Sequence, residues 1–198
     1  MIAIRVRRRN GWPAALWLAA FVSLNLNACA SRDRGAAIDD GGNGAGISLD
    51  ERAAVECAPF ARALSGLQLR GAAADWWAQA EGRYTRTRQP SPGAVLVFRR
   101  SARLADGHVA VVSRIEGDRR ILVTQANWVR DRVIAGMPVI DISPDNDWTL
   151  VRVWWPPSGQ MGTSAYPTDG FILPDRPTSH DQLVADTPRA IRMASGMP

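Results

Sequence analysis

The chain contains no lysine, only two cysteines and only two histidines in 198 residues. Each scarcity excludes something. Without lysine every positive side chain is an arginine, and the absence itself points to no function. Arg5, Arg7, Arg8 and Arg9 precede an apolar run, and without them the net charge falls from +5 to +1. The remaining arginines are interleaved with acids, so no basic stripe is left to follow a phosphate backbone, and nucleic acid is not expected as a partner. Phosphate-binding loops, dinucleotide fingerprints and zinc-ligand spacings are missing too, so no cofactor is expected. The sequence has no internal repeat. Its longest apolar run is short of the ~20 residues a membrane-spanning helix needs.

That run belongs to a segment with the three parts of an export signal. Over residues 1–30, "IRVRRRN" leads into "GWPAALWLAAFVSLNL" and then the small residues "NACA". Two processing routes are open. Leu26-Asn27-Ala28-Cys29 resembles a bacterial lipobox, which would acylate Cys29 and attach the protein to a membrane. Ala28-Cys29-Ala30 instead suits ordinary signal peptidase, which would discard Cys29. The lipoprotein route is preferred, and either route delivers the protein to the cell envelope. Either also leaves Cys57 without an intramolecular partner, and a lone thiol outside the cytoplasm tends to be reactive or to form dimers.

Residues 31–48 are rich in Gly and Asp and read as a flexible linker. A helix is expected from about Cys57, where Pro59 is tolerated in the first turn, to a stop at Gly66. A second helix is expected over 72–82. The period then shortens to that of strands over 94–100, 108–115, 121–129, 137–144 and 149–156. Helices followed by about five antiparallel strands predict an α+β domain over 49–156. Residues 157–198 read as a Pro/Gly/Ser/Thr-rich extension, with a short ordered piece near "YPTDGFIL" and a disordered end.

Within that frame, three features carry chemistry. Cys57 opens a helix, where unpaired backbone N–H groups could hold an oxyanion. Helix terminus and a nearby imidazolium would both lower its thiol pKa. His108 opens a strand after Gly107. It is the one credible general base, because His180 lies in the Pro-rich tail. Gln125 and Asn127 share a strand face at period two, and either could fix the imidazole tautomer. His108 follows Cys57 by 51 residues, and the polar pair follows His108 by 17 and 19. Trp76-Trp77 and Trp154-Trp155 could stack on sugars, although core packing is the simpler reading. Asp39-Asp40 and Asp145-Asn146-Asp147 lack the spaced ligands of a calcium loop and read as solvated turns.

"ECAPFAR", "PSPGAVLVF", "GHVAVVSRI" and "VTQANW" together resemble the CHAP domains, cysteine/histidine-dependent amidohydrolases and peptidases. The resemblance covers about 50–155. It implies a papain-like fold, with N-terminal helices packed on the five-stranded sheet. It also implies Cys57 as nucleophile, His108 as base and the peptide part of peptidoglycan as substrate. Family members often carry an acid where this chain has Gln125, while Asn127 matches the pattern. The orienting role is therefore open between the two, with Asn127 preferred. The alternative from another class is a non-catalytic envelope or wall-binding protein that keeps the fold.

Overall fold

In the computed structural model, which describes residues 47–197, β-structure predominates. The strands are β1 (Leu49–Arg52), β2 (Arg86–Thr87), β3 (Val95–Phe98), β4 (His108–Gly117), β5 (Arg120–Ala126), β6 (Arg132–Asp141), β7 (Leu150–Trp155), β8 (Gln160–Met161) and β9 (Tyr166–Ile172). The helices are α1 (Cys57–Ser65), the single turn α2 (Trp76–Gln79) and α3 (His180–Ser195). Strand order runs β1-β6-β5-β4-β3-β9-β7-β8, and β7 also pairs with β6. The antiparallel strands β6-β5-β4-β3-β9-β7 thus close on themselves as a six-stranded barrel.

This overturns the expected papain-like arrangement of helices on a five-stranded sheet. The closing strand is β9, which inserts between β3 and β7. It comes from the segment that composition sets apart as an extension. Without β9 the remaining strands would form an open sheet. With it the two edges vanish, which also removes exposed strand edges as sites of aggregation.

Closure explains why "VLVF" in β3 is buried at every position. Alternate side chains serve two cores. Leu96, Phe98, Ala110, Val112, Ile121, Val123, Met137 and Phe171 belong to one core cluster, within the barrel. Val95, Val97, Val109 and Val111 belong to a second, against Phe60, Leu64, Leu183 and Ile191 of α1 and α3. A half-polar alternation is absent because both faces of the wall are covered.

The chain end also departs from expectation. Instead of disorder, 180–195 is helix, capped by Ser179, whose side chain accepts from the Gln182 N–H. Its buried residues Leu183, Thr187, Ala190 and Ile191 fall on one face at helical spacing. Pro and Ser in the preceding loop mask that face in a compositional reading. Trp76 is fully buried, as the core reading expects, whereas Trp155 is 41% exposed. Asp147 and Asn146 lie in the turn before β7, and the Asp147 carboxylate accepts from Thr149. Cys29, the export signal, the linker up to Gly46 and Asp39-Asp40 lie outside the described residues.

Candidate active site

Cys57 is the first residue of α1, preceded by Glu56 in extended conformation. Pro59 falls in the first turn, where it sacrifices no intrahelical hydrogen bond. The helix is held by Phe60, Ala61 and Leu64, which are buried against the barrel wall. The backbone amides of Val109 and Ala58 lie close enough to the thiol to favour its anion. The Val109 contact ties the front of α1 directly to the residue after His108.

His108 is the first residue of β4 and is only 4% exposed. By strand alternation it shares the barrel-facing side with Ala110 and Val112, at the barrel's end. The turn before it requires glycine. Gly107 has φ +71°, and a Cβ there would lie 2.6 Å from both the Ala74 Cβ and the Phe98 carbonyl oxygen. Aromatic rings enclose the imidazole. The ring centroids of Phe98 and Trp128 lie 5.5 and 5.1 Å from that of His108, both edge-on.

Gln125, 1% exposed, also points to the barrel-facing side, and its Oε1 lies 2.8 Å from His108 Nε2. Its amide nitrogen faces the Met137 sulfur at 3.2 Å. A carbonyl oxygen can only accept, so Nε2 carries the proton and Nδ1 keeps its lone pair. Gln125 thereby fixes the imidazole tautomer.

Asn127 is elsewhere engaged. Its Nδ2 donates to Glu56 Oε2 at 2.9 Å, and its Oδ1 accepts from the Asp131 N–H at 3.1 Å. It occupies the left-handed region with φ 58°, which Asn tolerates better than most residues. The preference for Asn127 as the residue holding the imidazole is thus reversed by the geometry. Asn127 instead links the β5–β6 turn to the residue capping α1. Alternation alone puts 121, 123, 125 and 127 on one face and does not separate the two residues; the left-handed φ of Asn127 does.

Burial dominates the electrostatics. It pushes the His108 pKa down to about 4, against which the Gln125 hydrogen bond acts weakly. Burial likewise raises the Cys57 thiol, the Val109 N–H lowers it, and the neighbouring Glu56 carboxylate raises it again. The expected activated thiolate is therefore not the resting form. At neutral pH the two groups are a neutral thiol and a neutral imidazole.

Cys57, His108 and Asn127 line one cleft of about 600 Å³, together with Glu56, Ala73 and Asp106. Two carboxylates and no cation border it. Among the described residues no cluster of His, Cys, Asp or Glu could hold a metal ion, and no helix is long and apolar enough to cross a membrane.

No curated protein matches the chain. The CHAP domain family model matches residues 48–127. That span holds Cys57, His108, Gln125 and Asn127, but ends before β6 to β9 and α3. A thiol at a helix start and a tautomer-fixed histidine lining the same cleft agree with that match: residues 48–127 are similar to the CHAP domain, a domain of the cysteine/histidine-dependent amidohydrolase type associated in general with peptidoglycan hydrolysis.

Proposed function

We propose that the protein is a cysteine-dependent hydrolase that cuts an amide bond in the peptide part of peptidoglycan. The observation that carries this reading is the His108–Gln125 bond, which leaves Nδ1 as the proton-accepting nitrogen of a residue that lines the same cleft as Cys57. A histidine retained for packing alone would need neither a fixed tautomer nor a cysteine at the same opening.

The geometry suits a concerted attack. As the Cys57 sulfur bonds to the scissile carbonyl carbon, His108 Nδ1 takes the thiol proton. Charge on the former carbonyl oxygen is stabilised by backbone N–H groups at the start of α1. His108 then protonates the leaving amine, and water releases the acyl group from the sulfur. A base with a pKa of about 4 accepts protons weakly. Its advantage lies in being fixed and shielded, and the imidazolium it becomes leans on the dipole of a neutral amide.

The protein is proposed to act in the cell envelope after export, held at the membrane if Cys29 is acylated. Two substitutions at one position test the central reading. Cys57→Ala and Cys57→Ser should abolish lysis of purified sacculi with the fold unchanged by circular dichroism. Near-full lytic activity in Cys57→Ala would refute the cysteine-dependent reading, and absence of lysis by the wild-type protein would make it a non-catalytic wall-binding or structural protein instead.

A further inference from the structure

A second pocket, of about 350 Å³, adjoins the Cys57 cleft. Arg103, Trp128, Trp155, Gln160, Thr163 and Tyr166 contribute to its lining. All but Arg103 come from beyond residue 127, where the family match ends. The pocket depends on elements this chain adds. The β7–β8 hairpin sets Trp155 opposite Gln160, with a turn through Pro156–Ser158 and Gly159 at φ 61°. Gly162 follows, where a Cβ would lie 2.7 Å from the Val153 carbonyl oxygen, so the strand can approach closely only because it has no side chain there.

Two pairs of consecutive residues form the ridge between pocket and cleft. Leu104 and Asn127 line the cleft, while their neighbours Arg103 and Trp128 line the pocket. A chain of edge-on ring contacts joins them: Tyr166 to Trp128 at 5.0 Å, then Trp128 to His108 at 5.1 Å. A molecule crossing this ridge would hold one part in the pocket and another at Cys57.

The lining selects a chemistry. Trp155 is a large apolar residue left 41% exposed, an uncommon waste of burial unless a ligand covers it. Around it stand hydroxyl and amide groups from Ser158, Gln160, Thr163 and Ser164, with no carboxylate. Arg103 is exposed and forms no ion pair among the described residues. A pyranose ring presents an apolar C–H face and a rim of hydroxyl and acetamido oxygens, which matches aromatic faces bordered by donors. The small alanyl side chains of a stem peptide would leave the aromatic walls unfilled. The volume is at the lower end of small-ligand sites (~300–1,000 Å³), suited to a single ring.

We infer that this pocket binds an N-acetylhexosamine ring of the wall glycan and positions it next to the amide being cut. The substrate named here rests on the proposed function, but sugar binding can be measured without catalysis. The probe is N-acetylglucosamine tetramer, titrated into the full chain carrying Cys57→Ala and followed by tryptophan fluorescence and calorimetry. Saturable binding is expected. Trp155→Ala should weaken it roughly 10-fold, as loss of an aromatic face does, and Arg103→Ala should weaken it several-fold. Trp77→Ala, remote from the pocket lining, should leave it unchanged. On active protein, Trp155→Ala should raise KM for sacculi and leave hydrolysis of a glycan-free stem peptide unaltered. Absence of saturable binding, or equal losses from Trp155→Ala and Trp77→Ala, would overturn the inference. Failure of the hydrolase reading would appear separately, as lysis that survives Cys57→Ala.

Discussion

Replacing Gln125 by glutamate changes one atom type at the most buried polar contact of the site. The Oε1 that accepts from His108 Nε2 at 2.8 Å would become part of a carboxylate. Opposite unit charges ~4 Å apart attract by about 4 kcal/mol at an effective dielectric of ~20. The new carboxylate must itself be buried, which cancels a large share of that gain. An opposite charge at such range typically moves a pKa by about 1–3. The His108 pKa should therefore rise from about 4 in the native protein to roughly 5–7 in Gln125→Glu. In the proposed mechanism neutral His108 is the base, so the acid limb of the kcat/KM profile should move up by the same amount. At the same time the thiolate–imidazolium pair becomes more accessible, and the alkaline limb should also move up. Imidazole resonances give an independent readout, and the chain has only two histidines, so His180→Asn identifies the His108 signal. If neither the acid limb nor the His108 resonance moves in Gln125→Glu, Gln125 does not set the electrostatics of the base and the tautomer argument fails.

Four further outcomes are expected. His108 has a folded-state pKa of about 4, below the ~6.5 of an unfolded histidine. The unfolded chain therefore binds more protons in that window, and the native state should lose about 3 kcal/mol as pH falls through it; urea titrations of wild type and His108→Gln at several pH values measure the difference, and equal pH slopes would exclude it. Gln125→Ala should lower kcat on sacculi by roughly 100-fold, the lower end of general-base terms, whereas Asn127→Ala, which loses the exposed bonds to Glu56 and to the Asp131 N–H, should cost less; the reverse order would make Asn127 the orienting residue. Gly107→Ala should destabilise the fold by about 2 kcal/mol or more, since a left-handed φ alone costs ~1–2 kcal/mol and the Cβ meets Phe98 and Ala74 as well; a denaturation midpoint equal to wild type would contradict it. Metabolic labelling with a fatty-acid analogue should tag the protein and lose the tag in Cys29→Ala, and an unlabelled mature form starting at Ser31 would show ordinary cleavage instead.

Much of the site was legible before any fold was known. Cys57 before Pro59, Gly107 before His108 and the alternation through Gln125 are local patterns, set by the backbone needs of a helix start, a left-handed turn and a strand. The helix at Cys57 and the strands near 95, 108 and 121 appear where period and turn residues put them. What failed was non-local. Barrel closure depends on β9 pairing with β3, some 70 residues away, and no periodicity within β9 names its partner. Packing of α3 on α1 was hidden likewise, because Pro- and Ser-rich composition describes a loop and not the helix after it. Only the tertiary structure could choose between Gln125 and Asn127. The left-handed φ of Asn127 turns the chain out of the strand, so period two ends at Gln125 and the two side chains part. The resting charge state followed from the same source. The sequence supplies a thiol at a helix start and an imidazole, which by themselves favour an ion pair. Burial at the end of a closed barrel, ringed by Phe98 and Trp128, makes both groups neutral, because desolvation depends on what surrounds a residue and not on what precedes it in the chain.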